Sequence, residues 1–374
     1  MTPPLASKPY FRNLDALRFF AAIGVFLLHS LNVRIAGSED VAWMQPIRDF
    51  AKTGALGVNL LHVMSGFLIT LLLLQEEKAL GQFSVVKYYL RRTLRIWPLY
   101  LLMITLSFFV IPPVMNFLGK DFHETGNPLA YYFFWGNFYI LNYGFPYSPI
   151  LAVLWSVTVE EQFYIGWPWL IRLFKKNRWF LFGIIIVISI GFRMYYNNDG
   201  KQLFFNTLCI MSDFAIGAFI ASMAVDESSL FLRLKKLSRS LIIPIYAIIF
   251  LLLVFYHPLF DSPVAIVLER LILGLAFGWI IFDQAYSERR PFNLHRIPGF
   301  AWLGKRTYGL YCFHEVGIIS AIKFMTAIHF IRSPFQYAFL MPVLAFMITA
   351  ALAALSYRFF EKPFLDWKKK FEVV

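Results

Sequence analysis

Apolar runs of about 20 residues, the length that carries a helix across the hydrocarbon of a bilayer, recur along nearly the whole of this sequence. A chain built this way has little choice of environment. The composition agrees: 59% of residues are hydrophobic, 19% aromatic and only 15% charged, with a mean hydropathy of +0.61, far from the balance of a soluble protein. We expect an all-α polytopic membrane protein with about ten transmembrane helices, forming one integral domain over residues 1–374. The runs place spans near 14–33, 56–74, 94–114, 153–174, 179–195, 203–225, 241–256, 264–282, 308–328 and 337–360.

The formal charge of +13 raises the question of nucleic acid, but no basic block is interleaved with a soluble nucleic-acid fold. Sorting of Lys and Arg to cytoplasmic loops explains the excess better. Residues 76–95, 172–178, 233–239 and 288–306 are basic, whereas 257–263 carries neither Lys nor Arg. This alternation predicts cytoplasmic N- and C-termini, with tails at 1–12 and, strongly basic, at 362–374. Lys8 and Arg12 precede the first run and Arg18 interrupts it, a pattern expected of an uncleaved signal anchor. One aromatic segment, YYFFWGNFYILNY within 129–152, is ringed by Pro128, Gly144, Pro146 and Pro149. Crossing there would put Lys175, Lys176 and Arg178 outside, so we expect it to be re-entrant or interfacial. Cys209 and Cys312 lie inside apolar runs and fit packing better than a disulfide.

Ionisable residues inside such spans are costly unless they face a polar interior. The first span reads DALRFFAAIGVFLLHS. Asp15 precedes Arg18 by three residues and can pair with it, and His29 returns to the same face of the helix some 16 Å further on. The competing structural reading is a snorkelling arginine with a hydrogen-bonded core histidine. In LWSVTVEEQFYIGWP, Glu160 and Glu161 fall within an apolar segment, and adjacent helical residues point about 100° apart, so one of them faces any given cavity. A carboxylate so placed suits proton transfer or the orientation of a histidine base; two solvated surface charges are the alternative. In YYLRRTLRIWPLY, Arg91, Arg92 and Arg95 form a guanidinium cluster suited to phosphate oxygens, although positive-inside sorting also produces such clusters. Asp213, Glu269, Arg270 and His314 are further intramembrane polar groups that spacing alone does not place. No histidine spacing argues for a metal, and no resident cofactor is expected.

Taken together these segments resemble the acyltransferase-three family of integral-membrane O-acyltransferases. LDALRFFAAIGVFLLHS is similar to its opening signature, GVNLLHVMSGFLIT to its second-helix motif, RRTLRIWPLY to its arginine motif and LWSVTVEEQFYIGWP to its acidic motif; LGKRTYGLYCFHEV and YRFFEKPF resemble its last helices. Asn59 and His62 depart from the pattern. The resemblance implies a multi-pass enzyme of the bacterial inner membrane that moves an acyl group, acetyl above all, from cytoplasmic acyl-CoA as co-substrate to a hydroxyl of a cell-envelope polysaccharide or lipid-linked glycan. It implies His29 as general base, Arg18 as essential and held by Asp15, Glu160 ahead of Glu161, and Arg91, Arg92 and Arg95 as donor-binding. Ser65, Glu161 and His314 are weaker candidates, Ser65 as an acyl relay. A transporter or flippase of a glycan or lipid intermediate is the rival class; its mark, paired broken helices in two similar halves, is not found. The acceptor, the acyl group and the oligomeric state are not written in these residues.

Overall fold

A computed structural model describes residues 10–33, 42–330 and 333–372. It is helical, with no strand among the described residues. The remainder of the expected N-terminal tail and the last two residues of the basic C-terminal tail lie outside them. Ten long helices organise the chain: α1 Arg12–Asn32, α2 Leu56–Leu80, α3 Val85–Thr105, α4 Trp155–Leu173, α5 Arg178–Tyr195, α6 Thr207–Val225, α7 Arg239–Val254, α8 Pro263–Tyr286, α9 Thr307–Ala327 and α10 Met341–Ser356.

Seven helical stretches among the described residues are long and apolar enough to cross a bilayer: Arg12–Asn32, Met44–Leu80, Val85–Phe117, Arg178–Tyr195, Gly200–Val225, Pro263–Tyr286 and Gln336–Lys369. An eighth is the pair Ser229–Lys235 and Arg239–Val254, bent by 93°. The two remaining runs expected to span, 153–174 and 308–328, do form helices α4 and α9. They fall short on polarity, because they carry Glu160, Glu161 and Gln162 on α4 and His314 and Glu315 on α9. Of these polar residues Glu160, His314 and Glu315 belong to the site.

Prolines shape two of the crossings. Pro112 and Pro113 lack the amides that would continue the ladder of α3, and Leu106–Val110 widens to a π turn just before them. Pro342 follows the π turn Gln336–Leu340 at the start of α10 in the same way. The aromatic segment breaks into Pro128–Tyr132 and Gly136–Tyr143, which at 1.5 Å per residue are both far too short to cross. Between them Phe134 holds φ 56°, a left-handed conformation that costs a bulky side chain energy. Its ring is nonetheless buried, stacked on Tyr100 with centroids 5.0 Å apart.

The core is held by close helix approach as much as by apolar contact. A Cβ on Gly217 of α6 would stand 1.9 Å from the Val63 carbonyl oxygen of α2, and one on Gly66 would stand 2.1 Å from that of Phe214. The two backbones touch, as small residues allow between helices in lipid. Buried polar residues pair across this half: Arg270 of α8 donates to Asp213 of α6 at 2.6 Å, and Arg193 of α5 donates to Glu269 at 2.7 Å. His62 lies beside Asp213, 3.9 Å away.

A topological prediction follows for the aromatic segment. With Cys209 and Cys312 buried and silent, single cysteines placed at 120–128 and at 145–150 should react with an impermeant thiol reagent from the same side of the membrane. Reaction from opposite sides would mean that the segment crosses.

Candidate active site

Three elements from distant parts of the sequence make the site. On α1, the Arg18 guanidinium donates to Asp15 at 2.9 Å, and the Tyr10 hydroxyl donates to the other oxygen of the same carboxylate at 2.6 Å. Asp15 is thus fully engaged in fixing Arg18. The short helix Phe300–Gly304 packs directly against this turn: a Cβ on Gly304 would lie 2.0 Å from the Asp15 carbonyl oxygen. This approach brings Lys305 beside the pair.

A cavity of about 350 Å³ opens here, lined by Arg18, Arg92, Arg95, Lys305, Lys368 and Lys369 among others, with Asp15, Glu361 and Glu372 as its acids. It is a basic mouth. Arg18, Leu68, Arg92, Arg95, Lys305 and Tyr308 line both it and a narrower chamber of about 120 Å³ further in. The chamber is walled by Ser65 of α2, by Ser156, Glu160 and Tyr164 of α4, and by Tyr311 of α9. Tyr164 donates to Glu160 at 2.6 Å and Ser65 donates to the other carboxylate oxygen at 3.3 Å, while Tyr164 and Ser65 are 3.1 Å apart. The Arg92 guanidinium lies over the Tyr164 ring, 5.4 Å from its centroid. On the opposite wall the Ser156 and Tyr311 hydroxyls are 2.6 Å apart and Tyr311 donates to the Val153 carbonyl at 2.8 Å.

Beyond Tyr311 lies the histidine pair. His314 Nδ1 contacts the Tyr311 carbonyl at 2.5 Å, and the rings of His314 and His29 have centroids 5.0 Å apart. His29 Nδ1 is 2.8 Å from Glu315 Oε1, with Glu315 buried and the His29 side chain 35% exposed. His29 therefore has a carboxylate that holds one ring nitrogen and room for a substrate at the other.

The structure brings Asp15, Arg18, Arg92 and Arg95 together at the mouth, and Ser65 and Glu160 in the chamber. It sets His29 apart: the stripe on α1 serves two places, with Arg18 in the cavity and His29 against α9. Arg91 belongs to neither. It pairs with Glu76 at 2.8 Å and donates to the Phe371 carbonyl at 2.9 Å, so its place is structural rather than donor-binding. Glu161 points away from the chamber, accepting from the Trp97 indole at 3.0 Å, because it stands about 100° round α4 from Glu160. Asp213, Glu269 and Arg270 form the separate cluster already described. Sequence reasoning missed Glu315, although it directly follows His314. It also missed Lys305, and it read Lys368 and Lys369 only as part of the basic cytoplasmic tail, whereas they line the mouth.

Residues 11–358 match the model of an acyltransferase domain. The chain belongs to the acyltransferase-three family. Among curated proteins this chain is similar to "Putative O-acetyltransferase SAR0937" of Staphylococcus aureus strain MRSA252, 25% identical over 97% of this chain and 59% of that one. It is equally similar to O-acetyltransferase OatA of S. aureus strain NCTC 8325, 25% identical over 96% of this chain and 57% of that protein. The chain thus spans under three fifths of the length of these relatives. No solved structure matches it.

The chamber network makes a prediction. Tyr164→Phe keeps the ring under Arg92 but deletes the donor to Glu160, leaving a half-buried carboxylate with Ser65 as its hydrogen-bond donor. It should destabilise the detergent-solubilised protein by about 1–3 kcal/mol, measured as a lower thermal midpoint. An unchanged midpoint would show that the tyrosine hydroxyl does not hold the glutamate.

Proposed function

We propose that this chain is a membrane-bound O-acyltransferase that moves an acetyl group from acyl-CoA to a hydroxyl of a cell-envelope or lipid-linked glycan. The observation that carries the reading is the basic mouth, joined to a narrow chamber whose wall residue Tyr311 lies one helical turn before His314, the ring that packs against the carboxylate-held His29. Guanidinium forks and ammonium groups in the mouth match the diphosphate and phosphate of a coenzyme A. In this reading the pantetheine arm with its thioester extends from the mouth into the chamber. Names of relatives as O-acetyltransferases support the acetyl group.

The chemistry follows from hydrogen-bond geometry. In neutral His29 the Nδ1–H donates to Glu315, which fixes the tautomer and leaves the Nε2 lone pair free to accept a proton. The acceptor hydroxyl gives its proton to Nε2 as its oxygen bonds to the thioester carbonyl carbon. Glu315 stabilises the imidazolium that forms. The tetrahedral intermediate collapses with cleavage of the C–S bond, and the CoA thiolate takes the proton back from His29, giving ester and free thiol. Ser156 and Tyr311 line the chamber wall on the side of the base, with Tyr311 donating to the Val153 carbonyl and Ser156 donating to Tyr311. Arg18, fixed by Asp15, holds the donor's entrance rather than the reacting atoms. Donor and acceptor enter from different sides, the donor on the basic, cytoplasmic face and the acceptor at the exposed face of His29.

Two tests separate binding from chemistry. His29→Ala should bind acyl-CoA normally yet transfer about 10²–10⁴-fold more slowly, measured with labelled acetyl-CoA and purified protein; transfer at the normal rate would make the histidine a packing residue. The double change Arg92→Ala and Arg95→Ala removes two charged contacts of roughly 1.5–3 kcal/mol each. It should weaken acyl-CoA binding at least about a hundredfold, the loss being larger at low salt, where the phosphate contacts are less screened. Unchanged affinity by titration calorimetry removes these arginines from the site.

A further inference from the structure

His29, His314 and Glu315 offer two imidazole nitrogens and a carboxylate oxygen that all lie within 4.8 Å of one another. His29 Nδ1 to Glu315 Oε1 is 2.8 Å and His314 Nε2 to the same oxygen is 3.7 Å. Ligands at about 2.0–2.1 Å around a tetrahedral ion stand about 3.3 Å apart, a spacing that these distances bracket. A second observation concerns His314 alone. It is 2% exposed, and its Nε2 has no hydrogen-bond partner among the described residues. Its Nδ1 faces the Tyr311 carbonyl at 2.5 Å, and since a carbonyl only accepts, the proton sits on Nδ1 and the Nε2 lone pair is aimed, unpaired, at the cluster. A ligating histidine is commonly oriented this way, by donating its other ring N–H to a backbone carbonyl. A buried nitrogen left without any partner costs about 1–3 kcal/mol, which a bound ion would recover.

We propose that His29, His314 and Glu315 form a binding site for a divalent transition ion of the zinc class. Two nitrogens and one oxygen suit zinc among the available ions, and the exposed side of His29 leaves a fourth position to water. The ion takes the Nδ1 lone pair of His29, which moves the ring proton to Nε2 and removes the base. Zinc at this site therefore switches acyl transfer off. The consequence rests on the function proposed above, whereas the site itself rests only on the three side chains.

The test is direct binding, which needs no acyl transfer. Purified, tag-free full-length protein in nanodiscs is titrated with Co²⁺ and its visible ligand-field absorption followed, with Zn²⁺ added afterwards as competitor. The expected result is one Co²⁺ per chain with the intense bands of a four-coordinate site, displaced by Zn²⁺. His314→Gln, Glu315→Gln and the partly exposed His29→Ala should each weaken uptake at least about tenfold. Since His29→Ala opens no core cavity, it keeps the test valid if a buried variant misfolds. His62→Ala and the surface change His123→Ala, beside Asp121, should bind as wild type does. No saturable uptake, uptake unaffected by the three ligand changes, or uptake lost with His123→Ala overturns the site.

Discussion

An ionised group in a membrane interior needs a partner fixed in advance, because lipid supplies none. The Asp15–Arg18 pair meets this demand on the first helix, and much else is arranged around it. Both oxygens of Asp15 are taken, one by Arg18 and one by Tyr10. The main chain of the same residue is the surface on which Gly304 rests. The pair thereby joins the first helix to the segment that delivers Lys305 and leads into α9. Without it the mouth would lose both its central cation and one of its walls.

The same demand is answered differently in the half of the bundle built on α5, α6 and α8. There Arg193 and Arg270 are buried with Glu269 and Asp213, and Arg193 also donates to the backbone carbonyls of Val267 and Leu203. These groups pair with one another and tie the helices together, while Glu269 also borders a separate cavity with Tyr256 and Asp261.

Much of the fold was legible in the sequence, since apolar runs of bilayer length and the punctuation of the aromatic segment by Pro and Gly are local signals. The motif residues Arg18, Arg92, Arg95, Glu160 and His29 were likewise visible as charges where charge is expensive. What the sequence could not carry was partnership. Arg91 and Arg92 are neighbours of identical chemistry, and only packing shows that one is tied to Glu76 and the other faces the cavity. Nor could spacing along α1 reveal that Arg18 and His29, on one face, look into different surroundings, because the intervening wall comes from α9. Glu315 and His314 meet His29 only through tertiary approach, which is why no linear pattern of ligands announced them. The helices too polar to count as spans, α4 and α9, show the same conflict from the other side: local composition there yields to the needs of the site.

The contact between Gly304 and Asp15 also bears on how such an enzyme can vary. Two main chains in direct contact leave no slack, so this rim of the mouth behaves as a fixed gauge rather than a flap. On the function proposed above, accommodation of a longer or bulkier acyl chain then has to come from the far end, lined by the small side chains of Ser65, Ser156 and Val157. Relatives could share one donor handle and diverge in what it carries, with the change confined to a few side chains at the bottom of the chamber.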